Sequence, residues 1–279
     1  MRVFSLSTNM RAQLFGDVDS RSFSEKILQV GNGTIQGDSD FFDPSEIAAT
    51  VSSVDVLIEK VFPELQKNYT RSEWLCERAI LAPKNTTVNA LNHRLLDAIP
   101  GRKFLFKSID STVTDDDAAD YPIEFLNSLE PAGLPSHLLY LKPGCPIMLL
   151  RNISQPKLCN GTRLVVKNLY PNVVEATIIS GCGKGEDVFI PKIPLIPSNL
   201  PFQFRRLQIP IRLCFAMTIN KSQGQTLAVA GLDLSENCFS HGQLYVAASR
   251  VGSHNNLFIY CPSSLIRNVV YREVLTTDY

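Results

Sequence analysis

Apolar positions along the first part of the chain follow helical and strand spacings in turn. Over residues 45–62 the apolar side chains recur at close to helical intervals, and Ser45 stands where an N-cap is expected. Residues 79–82 form a short apolar run typical of a buried strand, and an amphipathic helical pattern follows over residues 88–99. Strands that alternate with helices favour an α/β fold with a parallel sheet.

From residue 141 the pattern changes to short strand-like runs separated by turn residues. These runs cover residues 146–150, 162–170, 173–179 and 187–191. Short strands at this spacing predict a small β-barrel. We therefore expect an α/β domain built from residues 1–140 and 208–279, with a barrel inserted over residues 141–207.

A further apolar run starts at Cys214 and turns polar at Thr218. We expect a strand that ends in a polar loop, with another strand at residues 227–232. Ligands bind beyond the carboxyl ends of strands in parallel α/β sheets, so this loop is a candidate binding site. Its hydroxyl, amide and ammonium groups can reach phosphate or sugar oxygens, and Gly224 lets the backbone approach a ligand. A polar loop after a strand is also an ordinary surface feature.

The stretch HGQLYVAASRV predicts a short helix, Gln243–Ser249, that ends at Arg250. Together, TINKSQGQTL (218–227) and YVAASRV resemble the last two motifs of superfamily 1 DNA helicases. The resemblance is in particular to the helicases of Helitron transposons and their eukaryotic relatives that unwind DNA 5′ to 3′. It covers nearly the whole chain, but only the second of the two motor domains of such an enzyme.

This resemblance implies a RecA-like three-layer α/β domain with a parallel sheet, interrupted by the inserted small β-barrel. It implies that the polar loop grips single-stranded DNA and senses nucleotide through Gln223 and Gly224. It assigns Arg250 to the γ-phosphate of ATP, for which a surface salt bridge is the plain alternative. Ser7–Arg11 resembles the motif that opens the second motor domain, which gives Arg11 the same role. The DNA-binding residues implied are Thr218, Asn220, Lys221, Ser222, Thr226, Thr86, Arg151 and Arg163.

The strand–turn–helix sequence ERAILAPKNTTVNALNHRLL also resembles the family. We expect Thr86 or Thr87 to cap the helix, whose free N–H groups can hold a phosphate of the DNA backbone. A plain capping turn explains the same residues, and the sequence leaves both readings open.

The formal net charge is zero, which is unusual for a DNA-binding protein, but the charges are unevenly distributed. Residues 1–140 hold 13 basic and 20 acidic side chains, whereas residues 141–213 hold 10 basic and 3 acidic ones. The basic segment either attracts nucleic-acid phosphates or compensates an acidic neighbour. The acidic run over residues 110–120 predicts an exposed loop. The basic segment contains Arg151, Lys157, Arg163, Lys167, Arg205, Arg206 and Arg212.

Several kinds of chemistry find no support in the sequence. The seven cysteines and four histidines show no zinc-site spacing, so we expect neither a metal site nor disulfides. No apolar run reaches the roughly 18 residues of a membrane helix, and we expect no membrane partner. The segment GCGKG (181–185) superficially resembles a phosphate loop, but Gly185 follows Lys184 where serine or threonine is required.

No G-K-[ST] occurs anywhere in the chain, and no strand that ends in paired acidic residues precedes Arg11. We therefore expect ATP and Mg²⁺ to be held by a first motor domain, in the same or an adjacent chain, and neither by this chain alone. The chain would be a fragment, a truncated product or half of a split protein. The main alternative is a non-catalytic single-stranded DNA-binding remnant of a transposon helicase; an intact enzyme of another class is the third. The resemblance also implies a nuclear location and roles in DNA repair, recombination and telomere maintenance.

Overall fold

The computed structural model describes residues 18–35, 39–112, 121–197, 200 and 202–275. The α-helices in this part of the chain are α1 Val18–Asn32, α2 Val54–Val61, α3 Leu65–Asn68, α4 Ser72–Cys76, α5 Asn85–Ala98, α6 Ile123–Ser128, α7 Gln243–Ala248 and α8 Arg272–Leu275. The strands are β1 Phe41–Phe42, β2 Ala49–Val51, β3 Arg78–Ala82, β4 Phe104–Lys107, β5 Ile109–Thr112, β6 Leu138–Leu141, β7 Pro146–Leu149, β8 Arg163–Tyr170, β9 Val173–Ile178, β10 Asp187–Pro191, β11 Ile193–Leu195, β12 Phe204–Gln208, β13 Ile211–Leu213, β14 Ala216–Thr218, β15 Val229–Asp233, β16 Leu257–Tyr260 and β17 Ile266–Arg267. Short 3-10 helices cover Pro44–Glu46, Ile219–Ser222 and His254–Asn256.

The chain divides into two compact units. The first unit takes in the described residues up to Glu64, residues 77–91 and the described residues from Ala216 onward; the second takes in residues 65–76 and the described part of 92–215. This division differs from the predicted insert over residues 141–207. The difference arises from strand pairing: β4 pairs with β6, β5 with β12 and β13 with β7. Strands before residue 141 and after residue 207 thus belong to the same sheets as the predicted insert.

A five-stranded parallel sheet forms the centre of the first unit, in the order β14-β3-β15-β16-β2. All five residues of β3 are buried, so both faces of the sheet are covered there. Helix α2 packs on β15 so closely that a Cβ built on Gly231 would lie 2.7 Å from Val61 Cγ2 and 3.0 Å from Leu57 Cδ1. The α/β fold predicted from the alternating patterns is confirmed.

The helix predicted over residues 45–62 begins later than its apolar spacing suggests. Ser45 lies in a 3-10 turn, and residues 49–51 form the edge strand β2 of the parallel sheet. Helix α2 begins at Val54, because the Ser53 hydroxyl accepts a hydrogen bond from Val56 N at 3.2 Å and caps the helix.

The second unit is built from antiparallel sheets. Its largest sheet has the order β10-β9-β8-β7-β13, and β11-β12-β5 and β4-β6 form two smaller ones. The predicted β insert is therefore confirmed as a small β domain. Among the described residues its largest sheet runs as an open series of five strands rather than as a closed barrel.

A fully buried ion pair joins β5 to β12. Arg206 Nη2 lies 2.7 Å from Asp110 Oδ2, and both side chains are 0% exposed. The guanidinium also donates to the carbonyl oxygens of Pro135 and Leu126 at 3.0 Å, and the Ser108 hydroxyl donates to Asp110 Oδ1 at 2.7 Å. Asp110 is therefore a buried residue of strand β5, and the exposed acidic loop predicted over residues 110–120 is wrong at this position. Residues 113–120 lie outside the described part of the chain.

Candidate nucleotide and nucleic-acid interface

The candidate site lies at the carboxyl edge of the parallel sheet in the first unit. Strand β14 ends at Thr218, whose register partner is Ala82, the last residue of β3. Beyond these two residues the chain forms the 3-10 turn Ile219–Ser222 and the first turn of α5, respectively. Because the strands are parallel and adjacent, Thr86 and Lys221 lie on this same edge.

The polar side chains at this edge have the accessibility that a binding surface needs. Thr86, Asn220 and Thr226 are exposed, and Thr218 and Lys221 are half-buried. These hydroxyl, amide and ammonium groups can donate hydrogen bonds to phosphate or sugar oxygens without reading a base sequence.

Thr86 lies inside α5 rather than at its cap. The helix begins at Asn85, and Val88 N donates to Lys84 O at 3.3 Å, which puts Lys84 in the capping position. Lys84 Nζ also lies 3.1 Å from Glu236 Oε1, in the loop after β15. The predicted threonine cap is therefore wrong. The sequence interpretation also missed Lys84, although its position just after the apolar run of a buried strand could have drawn attention to it.

Ser222 closes a turn instead of facing a ligand. It is 0% exposed, and its hydroxyl donates to Ile219 O at 2.7 Å. Its carbonyl accepts from Gln225 N at 3.0 Å, across Gln223 (φ −56°, ψ 134°) and Gly224 (φ +80°). These angles match a type II turn, whose third residue must have positive φ, which explains the glycine. A DNA contact through the Ser222 hydroxyl does not fit this geometry.

Arg250 connects that turn to α7. Its Nε donates to Val246 O at 2.7 Å, and its Nη1 donates to Ser222 O and Gln225 O, each at 3.2 Å. Its Nη2 lies 2.7 Å from the Ser249 hydroxyl. The residue is 7% exposed, so a surface salt bridge is not its role.

The two motifs that the sequence singled out are thus in contact through one guanidinium. Arg250 holds the backbone on both sides of Gln223 and Gly224, the two predicted nucleotide-sensing residues. A phosphate that approached this guanidinium would meet a group that already donates to three backbone carbonyls. Ser249 is a contact that the sequence interpretation missed, although it lies within YVAASRV. Arg11 lies outside the described residues.

The Arg163 side chain is buried in the second unit and donates to carbonyls of its own chain. It is 2% exposed, and its Nη1 and Nη2 donate to Cys76 O at 2.8 Å and Leu75 O at 3.1 Å. These carbonyls are in the last turn of α4, where a cation is favourable. Arg163 therefore does not fit the predicted DNA-backbone contact, whereas Arg151 is half-buried and keeps an accessible surface.

Part of the basic segment is neutralised by its own acidic residues. Lys167 Nζ lies 2.6 Å from Asp187 Oδ2 and 3.2 Å from Glu175 Oε1, and hydrogen bonds to these two carboxylates raise the pKa of Lys167. Burial lowers the pKa of Arg212. Both interpretations of the segment's charge therefore have some basis: a local compensation at Lys167 and an exposed arginine at Arg205.

The described part of the chain contains no group of three or more His, Cys, Asp or Glu residues that could hold a metal ion. In the same residues, no helix is both long enough and apolar enough to cross a membrane.

Comparison with known proteins identifies the family. Residues 124–169 match the family model for the 2B domain of DNA helicase Pif1. An ATP-dependent DNA helicase Pif1 from Bdellovibrio bacteriovorus is 30% identical over 188 residues, which cover 67% of this chain and 40% of that protein. The chain is a relative of the Pif1 helicases. The human ATP-dependent DNA helicase PIF1 is 31% identical over 170 residues, which cover 60% of this chain and 24% of that protein.

Solved Pif1 structures share the fold. A Pif1 helicase from Bacteroides in complex with ADP-AlF3 and single-stranded DNA superposes with a TM-score of 0.59 at 19% identity, covering 91% of this chain and 52% of that one. Pif1 helicase from Candida albicans gives 0.55 at 22% identity, covering 80% and 56%. These likenesses confirm the RecA-like α/β fold with its β insert. The chain spans 40% of the length of the bacterial relative and 24% of the human one.

The match to the Pif1 2B domain begins at residue 124, ahead of the predicted start of the insert at residue 141. Helix α6 and strand β6 belong to this early part, and both lie in the second compact unit. The family match and the strand pairing thus agree on an insert that starts earlier in the chain.

Proposed function

We propose that this chain is the C-terminal motor half of an ATP-dependent DNA helicase of the Pif1 kind. It grips single-stranded DNA and supplies arginine to ATP that a first motor domain holds. The observation that carries the proposal is the contact of Arg250 with Ser222 and Gln225, which joins the loop after β14 to the helix before Arg250. The relatives described as ATP-dependent DNA helicases support the same activity.

The DNA grip rests on the carboxyl edge of the parallel sheet. Thr218, Asn220, Lys221 and Thr226 present polar groups from one loop, and Thr86 presents a hydroxyl from the first turn of α5. The free N–H groups at the start of this helix favour a phosphate. Contacts of this kind bind the DNA backbone without sequence preference and weaken as salt is added.

The sequence has no G-K-[ST], and the described residues hold no acidic cluster suited to a metal. We therefore assign ATP and Mg²⁺ to the first motor domain. This chain would contribute guanidinium groups, which are always protonated and offer a planar fork of donors to phosphate oxygens. Arg250 is the first candidate, and Arg11 is the second by resemblance alone.

The alternative is a non-catalytic single-stranded DNA-binding remnant of a transposon helicase. The missing G-K-[ST] is the observation that favours it. A nuclear location, a Helitron origin and roles in DNA repair, recombination and telomere maintenance rest on resemblance and stay predictions.

ATP hydrolysis should be measured with and without single-stranded DNA, on this chain alone and on the chain joined to a first motor domain that contains G-K-[ST]. We expect no hydrolysis by the chain alone and DNA-stimulated hydrolysis by the joined protein. Arg250→Ala and Arg250→Lys should each lose most of that activity, since a phosphate-contacting arginine contributes roughly 10³–10⁵ in rate in related hydrolases. Arg21→Ala, at an exposed arginine on α1 and outside the basic segment, is the matched control.

The outcomes separate the two candidates. DNA binding by the joined protein without any hydrolysis would favour the remnant. Hydrolysis by this chain alone would contradict the assignment of ATP to a first motor domain. Near-normal hydrolysis by folded Arg250→Ala would remove Arg250 from the mechanism.

A further inference from the structure

Two thiols of the second unit converge on one backbone carbonyl. Cys159 Sγ lies 3.5 Å from Pro156 O, and Cys182 Sγ lies 3.6 Å from the same atom. The two sulfurs are therefore no farther apart than about 7 Å, the sum of these distances. Cys159 belongs to the loop before β8, whereas Cys182 lies in the GCGKG turn between β9 and β10.

The pair is accessible, unlike several other cysteines of the chain. All seven cysteines are free thiols; Cys182 is exposed and Cys159 is half-buried, but Cys145 and Cys238 are buried. Burial raises the pKa of both Cys145 and Cys238 to about 12, which keeps these thiols protonated and unreactive. Reagents that oxidise thiols will therefore meet Cys182 before these buried ones.

Other contacts hold the two segments together. Lys157 Nζ lies 2.8 Å from both carboxylate oxygens of Glu186, so an ion pair joins the loop before β8 to the end of the GCGKG turn. A Cβ built on Gly183 would lie 3.3 Å from Lys157 Cβ, which shows how closely the turn packs on this loop.

The turn has the backbone freedom that bond formation needs. Gly181 and Gly185 have φ of +81° and +92°, and nothing lies within 4 Å of a Cβ built on either. A disulfide requires a Cβ–Cβ separation of about 3.5–4.5 Å, so a short movement of this glycine-rich turn would bring Cys182 to Cys159.

We propose that Cys159 and Cys182 form a dithiol modification site that closes to an intramolecular disulfide by exchange with a low-molecular-weight disulfide such as oxidised glutathione. The Cys182 thiolate attacks one sulfur of the reagent, which gives a mixed disulfide and releases one glutathione thiolate. The Cys159 thiolate then attacks the Cys182 sulfur and releases the second. The two protons of the protein thiols pass to the released thiolates. Two protein thiols are thus oxidised and one glutathione disulfide is reduced to two thiols.

This site gives GCGKG a role that the phosphate-loop resemblance does not. A reversible disulfide is also the form in which such bonds occur in reducing compartments, where they act in sensing or catalysis. Closure would fix the GCGKG turn, with Lys184, against the loop that carries Lys157, and both lysines belong to the basic segment of the chain.

The test is to treat the folded full chain with oxidised glutathione, block the remaining thiols and digest with trypsin. Cys159 lies in the tryptic peptide 158–163 and Cys182 in the peptide 168–184, so their disulfide appears as one linked species in a mass spectrum. We expect this species to dominate. Cys159→Ser and Cys182→Ser should each abolish it and leave the remaining partner carrying glutathione, whereas Cys261→Ser should leave it unchanged.

A second arm uses the chain unfolded in urea, where proximity in the fold is lost. In the unfolded chain, the yield of the linked species should fall to that of disulfides between other pairs of cysteines. In the folded chain, the linked species should disappear when a reducing agent is added. Separate glutathione adducts on Cys159 and Cys182 in the folded chain, without the linked species, would overturn the proposal. The same linked yield in the unfolded chain would overturn it too.

Discussion

Replacement of Arg250 should loosen the turn around Gln223 and Gly224 even when no nucleotide and no first motor domain are present. The Arg250 guanidinium donates to three backbone carbonyls, those of Val246, Ser222 and Gln225. A residue that served only as a phosphate contact would leave the free chain unaffected when removed. The prediction therefore separates a role in holding the loop from a role in hydrolysis.

The size of the effect follows from these contacts. Ser222 O keeps the Gln225 N–H as a second donor, and Val246 O keeps the Ser249 hydroxyl at 3.1 Å. The cost at these two acceptors is therefore a lost hydrogen bond and not a fully orphaned carbonyl. At about 1 kcal/mol for each of four lost bonds, the three to carbonyls and the one to the Ser249 hydroxyl, Arg250→Ala should reduce the free energy of unfolding by about 4 kcal/mol. Arg250→Lys should recover only part of this, because an ammonium cannot reproduce the planar fork of donors.

Urea unfolding measures the total, and amide hydrogen exchange locates it. The Gln225 amide donates to Ser222 O and the Leu227 amide donates to Arg250 O, both at 3.0 Å, so these two amides should exchange faster in Arg250→Ala. Amides of the buried strand β3 should remain better protected from exchange than those of the loop. Arg205→Ala should change neither measurement. Unchanged exchange at Gln225 and Leu227, with a loss of stability below about 0.5 kcal/mol, would refute the holding role.

Three further predictions concern single residues. Gly224→Ala forces an alanine to a φ of +80° in open space, and we expect a loss of about 1 kcal/mol in urea unfolding; no loss would mean that the turn adopts another shape. Asp110→Asn leaves the Arg206 charge buried without its partner and should cost about 3–5 kcal/mol by the same assay, whereas a loss below about 1 kcal/mol would contradict the buried pair. Lys221→Ala should lower the slope of log affinity against log salt for single-stranded DNA by about one, measured by fluorescence anisotropy, and an unchanged slope would remove Lys221 from the DNA surface.

The elements that the sequence predicted well are those with a local cause. Strands β3 and β14 contain the apolar residues 79–82 and 216–217, and the polar residues that follow mark the carboxyl edge of the sheet without any long-range information. The start of α2 was missed because the apolar residues of β2 happen to continue the helical spacing of the helix. Nothing in that spacing distinguishes an edge strand, a Ser53 cap and a helix from a single longer helix.

The candidate site was harder, because residue type shows what a side chain can bind and not which partner it has. Arg163 and Ser222 were assigned to DNA because their groups suit phosphates, but both satisfy carbonyls of their own chain. Asp110 and Arg206 pair across two strands that are far apart in the sequence, and no local pattern connects them. Arg250 was singled out by motif, but its contact with the 222–225 turn could be seen only in the fold.

The close contact of Gly231 with α2 should constrain codon 231 in related genes whose protein is still in use. Any side chain at this position would collide with Val61 and Leu57 in the middle of the parallel sheet, so every substitution damages the fold. In copies of the gene that no longer make a useful protein, codon 231 should drift at the same rate as the codon of an exposed residue such as Lys60. In copies that are still maintained, glycine should persist at 231 while residue 60 varies. The two substitution frequencies, at residues 231 and 60, can be measured by sequencing alone, before any protein is purified.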